Sequence, residues 1–172
     1  ISHGAILRRC GIIQPMTMEL LVSGAREFGI NLTAAQQDAF EIYYRELCAW
    51  NARANLTTIT ERDQVTVKHF LDSLSLAQIL QRALSTDQRP LQTLIDVGSG
   101  AGFPGLPLKI AYPELHVTLL EATGKKVEFL KYIIAQINLR DAITIHARAE
   151  DLARDPAHRE RYDAAVARAV AD

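Results

Sequence analysis

LIDVGSGAGFPGLPLKI, residues 94–110, decides how this chain is read. An apolar run closes on Asp96, glycine then occupies positions 98, 100 and 102, and a second apolar run opens after Pro104. That order is a strand, a turn of nearly bare backbone and the start of a helix. Glycine takes the positive φ such a turn demands and leaves room for a ligand against the main chain. The helix start adds unpaired N–H groups and the positive end of its dipole. Three ligands compete for the turn. A nucleoside triphosphate loop requires Lys-Ser or Lys-Thr after the glycines, and neither follows. A dinucleotide fingerprint requires glycine at the last position of GxGxxG, which here is Phe103. What stands here is GxGxG over Gly98, Gly100 and Gly102, preceded by Asp96. An aspartate at the strand end repels a pyrophosphate and attracts a cation. The pattern therefore favours S-adenosylmethionine, with its amino group and sulfonium, over NAD.

Downstream, short apolar runs alternate with helical periodicity: strand TLIDV, a helix from GLPLKI, strand HVTLLEA, helix KKVEFLKYIIAQI, strand AITIHA, a short polar helical stretch and strand YDAAVARA. Such alternation predicts right-handed crossovers and a parallel sheet. Upstream the grammar is helical. Thr33 and Gln36 form a capping-box pattern, and Phe40, Tyr43, Leu47 and Trp50 recur at helical spacing, predicting a helix over about 34–51. Asp63 is expected to cap a second helix with Val67, Phe70, Leu71, Leu74 and Leu84 on one face. The expected fold class is α/β: the first four strands of a doubly wound, Rossmann-like parallel sheet with an N-terminal helical cap. Residues 1–15 read as an extension outside the fold, 16–88 as the cap, 85–90 (STDQRP) as the junction and 89–172 as the opening part of the sheet domain.

The 172 residues, 48% hydrophobic, suffice for one well-cored domain with an appendage. A net charge of -1 supplies no overall basic field, so any nucleic-acid affinity has to come from a local patch. Cys10 and Cys48 have no partner at metal-ligand spacing and read as reduced thiols, and no metal is expected. No apolar run reaches the ~18–20 residues of a membrane span, and no leader is recognisable, so a soluble cytoplasmic protein without membrane contact is expected.

Glu121 ends the second strand, where a carboxylate can accept from both ribose hydroxyls of a nucleotide-like ligand. Ala149 and Glu150 follow the third strand, where an adenine edge would lie. Taken singly, each carboxylate could equally be a solvated loop residue. Lys125, Lys126, Arg148 and Arg168 cluster in or beside the loops at the strand ends, where they can bind RNA phosphates or stack on a base. Lys125 and Lys126 could instead be the solvated first turn of a helix, but cations there oppose the helix dipole. His69 is the one acid–base candidate in the cap and is a candidate RNA contact, with a half-buried anchor as the alternative. Asn51 and Asn55 read as loop braces.

WNARANLT (50–57), VKHFLDS (67–73), DVGSGAGFPGLPL (96–108), LLEATGKKVEFL (119–130), RAED (148–151) and YDAAVARA (162–169) together resemble the RsmG (GidB) family of 16S ribosomal RNA guanine-N7 methyltransferases. The resemblance runs from about Met18 to the end. It implies a class I methyltransferase fold, S-adenosylmethionine contacts at Gly98, Phe103, Ala149, Glu150 and Arg168, and a further contact segment at Glu121, Ala122 and Thr123. It also implies a substrate: N7 of one guanine, guanine-527, in the 16S ribosomal RNA or small subunit; a monomer is expected, though the sequence itself does not give the oligomeric state. The family continues for several dozen residues beyond the match, so the chain is expected to be a fragment, and the activity of that fragment is open. The residues themselves disfavour two other chemistries. An Asn- or Asp-Pro-Pro-aromatic run of exocyclic-amine methyltransferases is absent where ARAVAD stands, and both cysteines lie outside the half of the domain where a cytosine-C5 nucleophile belongs. Guanine N7 already presents a lone pair, so positioning suffices and no dedicated base is expected. A small-molecule methyltransferase with the cap as a lid and an NAD-binding module are the alternatives. Deleting residues 1–15 is expected to leave the melting temperature of the full-length protein unchanged within error. A loss of several kcal/mol would show that the segment packs into the core.

Overall fold

The computed structural model describes residues 18–85 and 91–168, with side chains to residue 80 in the first span. The expectations for residues 1–15, for Cys10, for the junction and for Leu84's side chain fall outside that range. The cap consists of α1 (Met18–Glu27), α2 (Ala34–Ala54) and a continuous rod made of α3 (Arg62–Val65), a π-helical stretch (Thr66–Leu71) and α4 (Asp72–Ser85). The sheet domain follows as β1 (Thr93–Val97), α5 (Gly105–Ala111), β2 (His116–Glu121), α6 (Gly124–Gln136), β3 (Ala142–His146), α7 (Ala149–Leu152) and β4 (Ala164–Val166). All three strand pairings are parallel, in the order β3-β2-β1-β4. The chain runs outward from β1 through β2 to β3 and then returns to the other side of β1. The crevice where that order reverses, at the carboxyl ends of β1 and β4, is where such sheets bind ligands.

Local chemistry accounts for α2. Thr33 Oγ1 accepts from Gln36 N at 3.3 Å while Gln36 Oε1 accepts from Thr33 N at 2.8 Å, a reciprocal capping box. The helix ends on Asn55 in the left-handed region, and Asn51 Oδ1 takes the N–H of Thr57, so both asparagines brace the turn after α2.

Two upstream expectations are corrected, and one helix is added: α1, with only Leu21 and Ala25 of its ten residues buried. The N-cap of the next helix is Glu61, not Asp63: its carboxylate accepts from the backbone of Asp63 and Gln64. Val67 does not share the apolar face, being 47% exposed. The wider π turn changes the angular step, and His69, Phe70 and Leu71 take the inward positions.

Cap and sheet share one core. A single apolar cluster runs from Leu21 through Phe40, Tyr43 and Phe70 in the cap to Phe103, Leu119 and Phe129 in the sheet domain. Tyr43 donates to Ala101 O at 2.6 Å, inside the glycine turn, and its ring lies on Phe103 with centroids 5.3 Å apart. Among the described residues, the opposite face of the sheet carries a small cluster of Ile95, Leu120 and Leu152. A buried lysine went unforeseen in α5. Lys109 Nζ donates to Pro113 O and Leu115 O, both at 2.6 Å, and its stem lies in the core. Removing that ammonium from water lowers its pKa, against the pull of Asp141 and Glu114.

Gly102 has φ of +100°, and a Cβ there would stand 2.5 Å from Leu106 Cδ1 and 2.7 Å from Tyr43 Oη. Gly102→Ala combines left-handed strain with overpacking and is expected to cost about 2–4 kcal/mol. Chemical denaturation measures it; a cost under ~1 kcal/mol would show that the turn and cap are not tightly seated.

Candidate cofactor site at the strand ends

The glycine turn is held by β2. Gly98 N and Ser99 N both donate to Leu120 O, at 2.9 and 3.0 Å, while Gly102 N and Phe103 N close on Ser99 O. Gly98 and Gly100 have φ of +70° and +59°. A Cβ on Gly98 would meet nothing within 4 Å, and one on Gly100 only Gly98 O at 3.9 Å. The two glycines thus expose backbone to open space, whereas Gly102 faces the cap.

Glu121 lies across this turn. Its Oε2 accepts from Gly100 N and its Oε1 from Thr123 N, each at 2.8 Å, so one carboxylate fastens the glycine turn to the start of α6. Burial pushes its pKa up, but those N–H groups, the Thr123 hydroxyl and Lys126 hold it below the ordinary carboxylate value. Glu121 is therefore ionised at neutral pH. Beyond these donors it keeps roughly one acceptor position for a ligand, and a second where the Thr123 hydroxyl turns away.

Asp96 is fully buried at the end of β1. Oδ2 accepts from Gly105 N at 2.8 Å, and Oδ1 is buried with no hydrogen-bond partner among the described residues. Burial raises its pKa from 3.8 to about 7, with Gly105 N–H and Arg168 pulling down and Glu121 pushing up. A buried carboxylate oxygen without a donor is costly. A cationic ligand group would relieve it, and so would a proton.

Ala122, Thr123, Lys125, Arg148, Ala149 and Glu150 are exposed around the same rim, and Lys126 is half-buried. Lys125 and Lys126 form the first turn of α6, as their spacing allowed. Two candidates sit elsewhere than a solvent-facing site requires. Phe103 is buried, its ring between Tyr43 and His69, so only its backbone borders the turn. His69 is also buried: Nε2 lies 2.8 Å from Thr57 Oγ1 and its ring stacks on Phe103 at 4.6 Å. That geometry is the anchor and not a surface for RNA. Arg168, expected at the cofactor, reaches into the cap: Nη1 donates to Lys68 O at 3.0 Å and Asp72 Oδ2 at 3.2 Å, and the guanidinium lies 5.1 Å from the Phe103 centroid. Its clamp on the π-helical stretch had no sequence signal, since the partners lie about a hundred residues apart. Among the described residues no group of three His, Cys, Asp or Glu is placed to hold a metal ion, and no helix is long and apolar enough to cross a membrane.

Parallel order 3-2-1-4, a glycine turn after β1 and acidic residues closing β1 and β2 define a doubly wound α/β domain with a nucleotide-type site at its switch point. Residues 36–172 match the family described as GidB, rRNA small subunit methyltransferase G, and the chain belongs to it. Proteins named Ribosomal RNA small subunit methyltransferase G are similar to it. That of Roseiflexus castenholzii is 52% identical over 90% of this chain and 63% of its own length. That of Acetivibrio thermocellus is 46% identical over 89% and 60%. The chain thus spans about three fifths of the length of these curated relatives. Among solved structures, the N-terminal domain of human METTL16 in complex with SAH is similar over 80% of this chain and 57% of that one, with 13% identity and a TM-score of 0.42. A likeness that slight adds nothing to the strand order.

Asp96 makes a pH-dependent contribution to stability. The unfolded carboxyl ionises near 3.8 while the folded one keeps its proton to about 7, so the native state holds an extra proton between those values. Its contribution is present below about pH 4 and is lost as pH rises through 7. In the ligand-free full-length protein, the stability of wild type relative to Asp96→Asn is expected to be greater at pH 5 than at pH 8. Urea titrations of both at the two pH values measure this; a pH-independent difference would mean Asp96 is ionised throughout.

Proposed function

We propose that this chain is the cofactor-binding part of an S-adenosylmethionine-dependent methyltransferase that modifies N7 of one guanine, guanine-527, in 16S ribosomal RNA. The observation that carries the reading is the pairing of open glycine backbone at Gly98 and Gly100 with a donor-starved carboxylate at Asp96 and an ionised one at Glu121. A cradle for a cationic, ribose-bearing ligand needs those features, and a pyrophosphate would meet two acidic groups there. Family membership supports the same choice. When bound, S-adenosylmethionine supplies an electrophilic methyl group on its sulfonium. Asp96 offers an acceptor for the amino group, and Glu121 keeps acceptors for ribose hydroxyls while holding the turn in shape. Ala122, Thr123, Ala149 and Glu150 line the exposed rim, on the side that would take the adenine.

The remaining task is to bring RNA to the rim without charge repulsion. Lys125, Lys126 and Arg148 offer phosphate contacts beside the turn, and the exposed ends of two of them suit a flexible polyanion. No base is required, because guanine N7 is unprotonated near neutral pH and alignment supplies the rate. The protein would act as a monomer, in the cytoplasm where ribosomal subunits are assembled. A lid over a closed small-molecule pocket fits less well, since Tyr43, Phe70 and His69 press directly on Phe103 and join the cap to the core.

Calorimetry on the full-length protein is expected to show S-adenosylhomocysteine binding and no NADH binding. Glu121→Ala should weaken the former by about 1.5–3 kcal/mol, as for hydrogen bonds to a charged group. Incubating unmethylated ribosomal RNA with enzyme and S-adenosylmethionine, then applying borohydride and aniline, should yield one new cut, because N7 methylation makes the glycosidic bond labile. Label on an exocyclic amine or on C5 would overturn the N7 assignment. Alanine at both Lys125 and Lys126 should weaken RNA binding and flatten its salt dependence, while cofactor affinity holds.

A further inference from the structure

The π-helical stretch and Arg168 meet at a single nitrogen. His69 Nδ1 lies 3.1 Å from Lys68 O and 3.1 Å from Arg168 Nη2. It cannot bond to both. A carbonyl needs a proton on Nδ1, whereas a guanidinium, which only donates, needs a lone pair there. The surroundings favour the lone pair. Lys68 O already accepts from Arg168 Nη1, and Thr57 Oγ1, 2.8 Å from Nε2, can accept the ring proton. Neutral His69 protonated on Nε2 therefore gives Arg168 Nη2 an acceptor while Lys68 O keeps its bond from Nη1, and Thr57 Oγ1 then accepts from both the ring and Ile59 N. A proton on Nδ1 would set an N–H against Arg168 Nη2, and in the doubly protonated ring it would also leave two positive charges facing each other.

What Arg168 holds gives the choice its consequence. It follows β4, the strand beside β1, and its guanidinium lies over Phe103, whose backbone N–H closes the glycine turn on Ser99 O. His69 stacks on the same ring. We propose that His69 is a positioning residue: its Nδ1 lone pair latches Arg168 onto the cap and Phe103, fixing the glycine turn beside β4, and protonation of Nδ1 opens the latch. The functional half of this inference rests on the cofactor reading above. The charged groups around the ring are Arg168 after β4 and Asp72 at the start of α4, while Lys68 directs its ammonium to Gln64 and Tyr43 from α2 meets the same Phe103 ring. Burial first, and Arg168 next, lower the pKa of His69, against the Lys68 carbonyl and Asp72, which keeps the ring neutral and the latch closed at neutral pH.

The experiment uses the full-length protein with two readouts. Long-range 15N–1H spectra of His69 distinguish a lone-pair nitrogen from a protonated one. The expected result at neutral pH is a lone pair on Nδ1, and in Arg168→Leu a proton on Nδ1, now bonded to Lys68 O, with a raised His69 pKa. The second readout is S-adenosylhomocysteine affinity from pH 5 to 8. His69→Ala is expected to lose about tenfold, the effect of one hydrogen bond to a charged group. His69→Asn, whose amide oxygen can accept from Arg168 in the place of Nδ1, should recover most of that loss. The ratio of wild-type to His69→Asn affinity should fall as pH drops through the His69 pKa, a comparison in which the titration of Asp96 cancels. A protonated Nδ1 at neutral pH, no change in tautomer on removing Arg168, or a ratio level with pH would each overturn the latch. Were S-adenosylhomocysteine not to bind at all, the cofactor reading would fail while the spectra still decided the latch.

Discussion

The contact on which the rest of this molecule depends is made by Phe103. Its backbone closes the glycine turn, and its ring lies in the cap, 5.3 Å from Tyr43 and 4.6 Å from His69 by ring centroid. One residue thus belongs to the ligand-facing loop by its main chain and to the helical layer by its side chain. The three glycines permit positive φ but cannot choose among the many turns that this freedom allows. Phe103 and the hydroxyl of Tyr43, bonded to Ala101 O, select one turn by fixing two of its residues to a rigid aromatic cluster. Pre-organisation of a binding loop by packing lowers the entropy that a ligand must remove.

The turn itself was legible because its causes are local. Positive φ, a strand-end carboxylate and a missing third glycine are written in ten consecutive residues, and they lead to the parallel sheet and the choice of ligand class. The capping box at Thr33 and Gln36 was legible for the same reason. Features set by distant partners were not. A 3.6-residue period places Val67 inside and gives no hint of a π-helical turn that puts it in water. Lys109 reads as a solvated helix residue until the carbonyls of Pro113 and Leu115 fold back onto its ammonium. Of the site residues, Asp96 and Glu121 could be named from their strand ends, but their opposite protonation tendencies depend on how many N–H groups reach each one.

That difference shapes the site electrostatically. Glu121 receives two backbone N–H groups and stays charged; Asp96 receives one, keeps an unpaired oxygen, and is pushed toward neutrality by burial and by Glu121 itself. Two acidic groups at neighbouring strand ends thereby avoid carrying two full charges in a poorly solvated crevice. On the cofactor reading proposed above, a cation beside Asp96 would restore its charge and complete the set. Selection for a cationic partner would then be stored as an unsatisfied oxygen, instead of as a salt bridge that binding would first have to break.

Gln36 illustrates how far the cap is from being an appendage. Its carboxamide oxygen completes the N-cap of α2, and its nitrogen donates to Ile110 O at 2.8 Å and Ala111 O at 3.0 Å, carbonyls at the end of α5. One side chain thus terminates two helices that lie more than seventy residues apart. The cap of α2 closes locally, but the carbonyls at the end of α5 gain this donor only once α2 is in place. Together with the shared aromatic core, this ties cap and sheet into a single cooperative unit, so that the first turn of α2 and the last turn of α5 open together.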